Sequence, residues 1–179
     1  MFLDFLFGKK KGGDSAPAES LAAAAATTDP APAAPGTHIA YHADLVDQLK
    51  ADHQTLLATF GAIGKAYAAH DLTATSTQLE VFRGQLMAHL LKENVRFYIY
   101  LEHALAGDPT SQALVHQFRH EMDGIGKAVM AFLGKYRLLA VDSSLAGSFG
   151  ADLATIGDVL VQRIRSEEDT LYPLYLPVY

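Results

Sequence analysis

The chain has 179 residues, 50% of them apolar and 19% charged, and carries a net charge of −6. That is enough apolar material for one domain core plus a tail, while the acidic balance argues against nucleic acid, whose phosphates call for clustered Lys and Arg. With no cysteine, disulfides, thiolate catalysis and thiolate metal sites are excluded.

The chain opens with MFLDFLFGKKKGG, in which Phe2, Leu3, Phe5, Leu6 and Phe7 precede Lys9, Lys10 and Lys11. A signal peptide has the opposite order. No uninterrupted apolar run approaches the roughly 20 residues of a membrane span, so a cytoplasmic location is expected. Residues 2–11 read either as a disordered tail with a sticky end or as a contact for a membrane surface or a partner protein. Residues 12–37 are mostly Ala, Pro, Gly, Ser and Thr, a low-complexity linker whose Pro30, Pro32 and Pro35 break any helix its alanines begin. The folded domain is expected over residues 38–179.

Four helical stripes follow. Helix A is predicted over about 39–69, with Leu45, Leu49, Leu56, Phe60, Ile63 and Tyr67 on one line and His53 filling its gap. Helix B is predicted over about 73–105, with Leu79, Phe82 and Leu86, then His89 and Glu93, then Phe97. A turn at AGDP, with Pro109 suited to a helix start, leads to helix C over about 110–137, lined by Phe118, Met122, Ile125, Val129, Phe132 and Tyr136. The VDSS stretch supplies breakers and N-caps before helix D, over about 144–171, where Leu153, Ile156, Leu160, Arg163, Glu167 and Leu171 align. No strand pattern competes, so the fold class is all-α, an antiparallel up-down-up-down four-helix bundle.

Helices B and D repeat each other at an offset of 74 residues, Leu79 pairing with Leu153, His89 with Arg163 and Glu93 with Glu167. Helices A and C match less fully at an offset of 69, which pairs Leu49 with Phe118 and His53 with Met122. The chain reads as a doubled helical hairpin. Polar groups on an apolar stripe are costly unless paired or ligating, and this chain places five there: His53, His89, Glu93, Arg163 and Glu167. His89 and Glu93 are four apart and share a face, as do Arg163 and Glu167. Two imidazoles with two carboxylates suit iron, manganese or zinc, and Glu168 stands beside Glu167 as an alternative ligand.

The stretches ADHQTLL, AHLLKENVRFYIYLE and EEDTLYPLY resemble the hemerythrin-like HHE cation-binding family over residues from about 40 to 175. The resemblance implies a bundle with a His on helix A, His-x-x-x-Glu on helix B, one or two His on helix C, and His plus a carboxylate on helix D. It implies a non-heme di-iron centre that binds or senses oxygen, nitric oxide or iron; an enzymatic role is not expected. Carried over by position, His53, His89, Glu93 and Glu167 are the metal ligands. Two positions depart from the pattern: Arg163 stands in the helix D histidine slot, and the core-facing slot of helix C falls on Met122. His116 and His120 also mimic ligands by their spacing, although periodicity puts them opposite the apolar line of helix C; both readings stay open.

Arg163 cannot deprotonate to ligate a cation, but it can form forked hydrogen bonds to Glu93 or Glu167 in place of one metal. Two metals, one metal and a metal-free Arg–Glu–His network are therefore all admissible. The Leu153, Ile156, Gly157, Leu160, Arg163 and Glu167 spacing also resembles the last helix of bundles of the Rsd/AlgQ anti-sigma type, which implies a metal-free regulator that binds a partner protein. Oxidation catalysis ranks third, because catalytic di-iron bundles carry more carboxylates. Tyr98, Tyr100, Tyr172 and Tyr175 read mostly as helix-end packing, with a tyrosine hydroxyl near the site that tunes a bound metal as the alternative, and His38, His42, His70 and His103 read as surface residues.

Overall fold

A computed structural model describes residues 32–178. The apolar–basic start at residues 2–11, most of the linker and Tyr179 lie outside the described residues. The chain forms four long helical rods. The first is α1 (Leu45–Ala68). The second is α2 (Leu72–Lys92), continued through a turn at Glu93–Tyr98 into α3 (Ile99–Ala104). The third is α4 (Pro109–Lys135), and the fourth is α5 (Ala146–Ser166), which continues through a turn at Glu167–Leu171.

The helix starts follow the local sequence. Asp71 accepts from the Ala74 N–H at 2.8 Å, Asp108 accepts from the Thr110 and Ser111 N–H groups ahead of Pro109, and Asp142 accepts from the Ser144 N–H. Each satisfies a donor that the helix cannot. Helix A begins at Leu45, the first residue of its stripe, and later than the expected start near residue 39, because residues 32–41 close on themselves instead. The Ala34 N–H donates to the Ile39 carbonyl at 2.9 Å and the Tyr41 N–H to the Pro32 carbonyl at 2.7 Å, across a turn where Gly36 takes a φ of 70° that glycine adopts without penalty. Ala34 is buried, so this end of the linker packs on the bundle.

Successive rods run antiparallel. Phe60 of α1 meets Phe82 of α2 with ring centroids 5.4 Å apart, and Asp52 meets Lys92 at 2.7 Å. Lys135 of α4 meets Asp152 of α5 at 2.6 Å. The first and fourth rods approach closely at two glycines on one face of α5: a Cβ on Gly157 would lie 2.9 Å from the Phe60 ring, and one on Gly150 would lie 3.0 Å from Tyr67. The fourth rod, Ser143–Leu174, is long enough to cross a membrane and reaches a mean hydropathy of 1.2 over 18 residues, contrary to what a scan for uninterrupted runs suggests. Its buried Arg163 and Glu167 face the bundle, while 22% of the apolar window is buried.

The core has two parts. One end is largely aliphatic, built on Leu56, Ile63, Leu79, Leu86, Leu153 and Ile156 with Phe82 and Phe132. The other is aromatic, built on Phe97, Tyr98, Tyr100, Phe118, Tyr172 and Tyr175. Each fully buried large side chain there contributes about 1.5–3 kcal/mol. The polar layer lies between them.

Candidate metal centre

His53, Glu93, Glu167, His89 and Arg163 are all buried, at 1, 1, 2, 4 and 5% exposure. The structure thus brings together in one layer the five polar residues that periodicity singles out. It also brings in two tyrosines that the apolar stripes do not mark. The turns Glu93–Tyr98 and Glu167–Leu171 are π-helical, and each begins at a layer glutamate, again 74 residues apart. In an α-helix the residue five positions on stands about 140° around the axis; an i→i+5 turn brings it back above the glutamate. Tyr98 and Tyr172 therefore enter the layer rather than packing at helix ends. Tyr100 and Tyr175 do pack there, Tyr100 donating to the Leu176 carbonyl at 2.7 Å and Tyr175 accepting from the His42 N–H at 3.1 Å. The available signal was that both layer tyrosines follow their glutamates by five and share the repeat offset.

One half of the layer is histidine-based. His53 presents Nδ1 to Glu168 Oε1 at 2.8 Å and turns Nε2 inward, 3.3 Å from Glu167 Oε2 and 3.2 Å from Tyr172 Oη. Tyr172 Oη donates to Glu93 Oε1 at 2.9 Å. His89 has Asp52 Oδ2 behind its Nδ1 at 3.5 Å, too long for a good hydrogen bond, and its Nε2 lies 3.7 Å from Glu93 Oε2. The two imidazole rings are 4.7 Å apart. Glu168, expected as an alternative ligand, instead sits behind His53 as an orienting carboxylate, the usual partner of a ligating imidazole.

The other half is filled by Arg163. Its Nε donates to Glu167 Oε1 at 2.5 Å and its Nη2 to Tyr98 Oη at 3.0 Å. Its Nη1 points toward the half-exposed Glu121, 3.6 Å away, and its Cζ lies 4.8 Å from the centre of the Phe118 ring. The fork expected on a carboxylate is thus split between Glu167 and a tyrosine. Met122 lines a cavity of about 30 Å³ on the aliphatic side of the layer, together with His53, His89, Arg163 and Glu167. His116 and His120 are exposed. The stripe of α4 turns Phe118 and Val115 inward instead, so neither histidine belongs to the centre. His38, His42, His70 and His103 are exposed as well.

The electrostatics separate the four ionisable groups. Burial, then the neighbouring Glu167 charge, pushes the Glu93 carboxyl up to about 8. Burial, then the His53 charge, pushes His89 down to about 4. Burial works against a charged His53, but its bonds to Glu167 and Glu168 outweigh this and hold it above its ordinary range. Burial likewise works against Arg163, and the Glu167 charge overcomes it. Without a cation, then, Glu93 keeps a proton at neutral pH. Its Oε2 is buried with no hydrogen-bond partner.

One ligand atom from each of His53, His89 and Glu167 lies within 4.8 Å of the others, a group that could hold a metal ion. Nitrogen and carboxylate donors of this kind suit borderline divalent cations, and the unpartnered Glu93 oxygen faces the same space. Fold and layer define the class, a four-helix bundle with a buried His–carboxylate group that could hold a cation. The chain belongs to the hemerythrin HHE cation binding domain family, whose model matches residues 44–175. No curated protein and no solved structure gives a significant match.

Proposed function

We propose that this domain binds one non-heme iron ion through His53, His89, Glu93 and Glu167, with Arg163 beside the ion as a fixed second cation. The observation that carries this reading is the pair of imidazoles, each with a carboxylate behind Nδ1 and Nε2 turned toward the same buried point. At His53 the Nδ1–Glu168 hydrogen bond sets the tautomer a metal needs, whereas Asp52, 3.5 Å from His89 Nδ1, makes no such bond. Glu167 offers Oε2, since Arg163 holds Oε1. Glu93 offers the unpartnered Oε2 in exchange for its proton. Arg163 takes the place of a second metal, because a guanidinium repels a cation and cannot ligate one.

Bound iron would supply a redox-active centre able to take a diatomic ligand, and the adjoining cavity of about 30 Å³ is about one small molecule in size. The role that fits is binding or sensing of oxygen, nitric oxide or iron, without enzymatic turnover, in a cytoplasmic protein whose residues 2–11 contact a membrane surface or a partner. The test is iron per chain by mass spectrometry after growth with iron. About one ion per chain is expected, and two would overturn the role given to Arg163.

A second reading rests on charge. With Glu93 protonated, Arg163 balances Glu167 and His53 balances Glu168, so the layer also closes without metal, as in a partner-binding regulator of the anti-sigma kind. Failure to take up iron, with a melting temperature unchanged by anaerobic ferrous iron, selects that reading.

A further inference from the structure

The two halves of the layer are related by the repeat, and one of them already contains a cation. The Arg163 guanidinium contacts a glutamate on its own rod, Glu167, and a tyrosine oxygen from the other hairpin, Tyr98. Exchanging the hairpins carries Glu167 to Glu93 and Tyr98 to Tyr172. A cation in the histidine half would therefore face Glu93 and the oxygen of Tyr172.

The spacing in that half agrees. Ligand atoms about 2.0–2.2 Å from one small cation stand roughly 2.8–3.6 Å from each other. Tyr172 Oη is 3.2 Å and Glu167 Oε2 3.3 Å from His53 Nε2, and Tyr172 Oη is held by a 2.9 Å hydrogen bond to Glu93 Oε1, the oxygen beside the one offered to the ion. The phenol is also held in place. Its ring is nearly parallel to His53, 5.6 Å between centroids, and meets the edge of Phe97 at 5.1 Å. A donor fixed in this way loses little freedom on binding.

We propose that Tyr172 is a ligand of the cation, its phenolate oxygen joining His53, His89, Glu93 and Glu167 around the ion. The inference rests on the cation reading above. When no cation is present the phenol donates its proton to Glu93 Oε1. Binding exchanges that proton for the metal: the O–H bond breaks, an oxygen–metal bond forms, and the proton leaves to solvent.

The test loads the full chain with ferrous iron alone, oxidises it in air, and measures iron content, visible absorption and resonance Raman scattering. A broad phenolate-to-ferric absorption band with enhanced tyrosinate vibrations is expected. Tyr172→Phe should lose both while still binding iron, and Tyr100→Phe should keep them. Iron-loaded protein without tyrosinate vibrations overturns the assignment and leaves the cation reading standing. Vibrations that survive Tyr172→Phe, or that Tyr98→Phe removes instead, overturn it in the same way. No iron uptake overturns both. Should Tyr172→Phe fail to fold, the intact protein with ring-deuterated tyrosine decides: vibrations that do not shift on deuteration overturn the assignment.

Discussion

His89 and Arg163 stand at matching places on two copies of one helix, each a single turn before a glutamate that starts a π-helical turn. Around His89 the half-layer is an open cradle, with a protonated glutamate and an unpartnered oxygen. Around Arg163 the glutamate and tyrosine are already bonded to a cation the chain supplies, of which Nη1 alone lacks a hydrogen bond. The difference comes down to one residue on a repeated helix. A guanidinium satisfies the carboxylate that an imidazole would leave for a metal, and it does so permanently, since it does not lose its proton.

The harshest way to break this contrast is Glu167→Ala, which leaves Arg163 buried without its partner. Losing one member of such a pair costs about 3–5 kcal/mol, readable as urea-denaturation stability, and iron binding should vanish with it. A cost below about 1 kcal/mol would mean that the Arg163 half is not held together by this pair. Next is Arg163→His, which makes the halves alike. Iron per chain should rise, or affinity should increase about tenfold, an effect of roughly 1.4 kcal/mol; an unaltered stoichiometry and affinity would place Arg163 outside the competition for metal.

A pH series probes the open half alone. Glu93 titrates near 8 in the folded protein against 4.5 ordinarily. The folded state thus keeps a proton that the unfolded chain has released, and stability falls as pH rises across that interval. His53, raised above 6.5, adds stability that is present below 6.5 and lost as pH climbs through its folded value. His89, lowered to about 4, works in the opposite sense, but only between about 4 and 6.5. Between pH 6.5 and 8 the metal-free protein should therefore lose stability, by up to about 1.4 kcal/mol per pH unit for each proton released. Glu93→Gln should flatten the slope, and iron should reverse it, because the metal competes with those protons. The smallest effect is expected from His116→Ala and His120→Ala, which lie on neither half. Each should change stability by less than about 0.5 kcal/mol and leave iron content untouched.

Much of this layer is legible in the sequence because a buried polar residue interrupts an apolar stripe, and the stripe has a known period. The 74-residue offset alone sets Arg163 opposite His89. The weaker 69-residue offset still brings Met122 to the cavity wall and leaves His116 and His120 outside. Tyr98 and Tyr172 escape the same reasoning for a physical reason: a five-residue spacing points off the stripe in any α-helix, and only a π turn restores it. The late start of α1 escapes because a short backbone pairing between Ala33 and Ala40 leaves no side-chain period to read. Asp52 and Glu121 reach the layer's edge only through the way the rods pack.

Each π turn inserts one residue into a rod without breaking the helix. Beyond the insertion, the helix presents its residues about 100° out of step with those before it. The second and fourth rods both carry this step, at equivalent places, at the level of the polar layer. The domain is thus two short bundles spliced end to end, with separate phases in two of their four helices. The aromatic end can be repacked without rotating the aliphatic end, because the splice absorbs the change in phase.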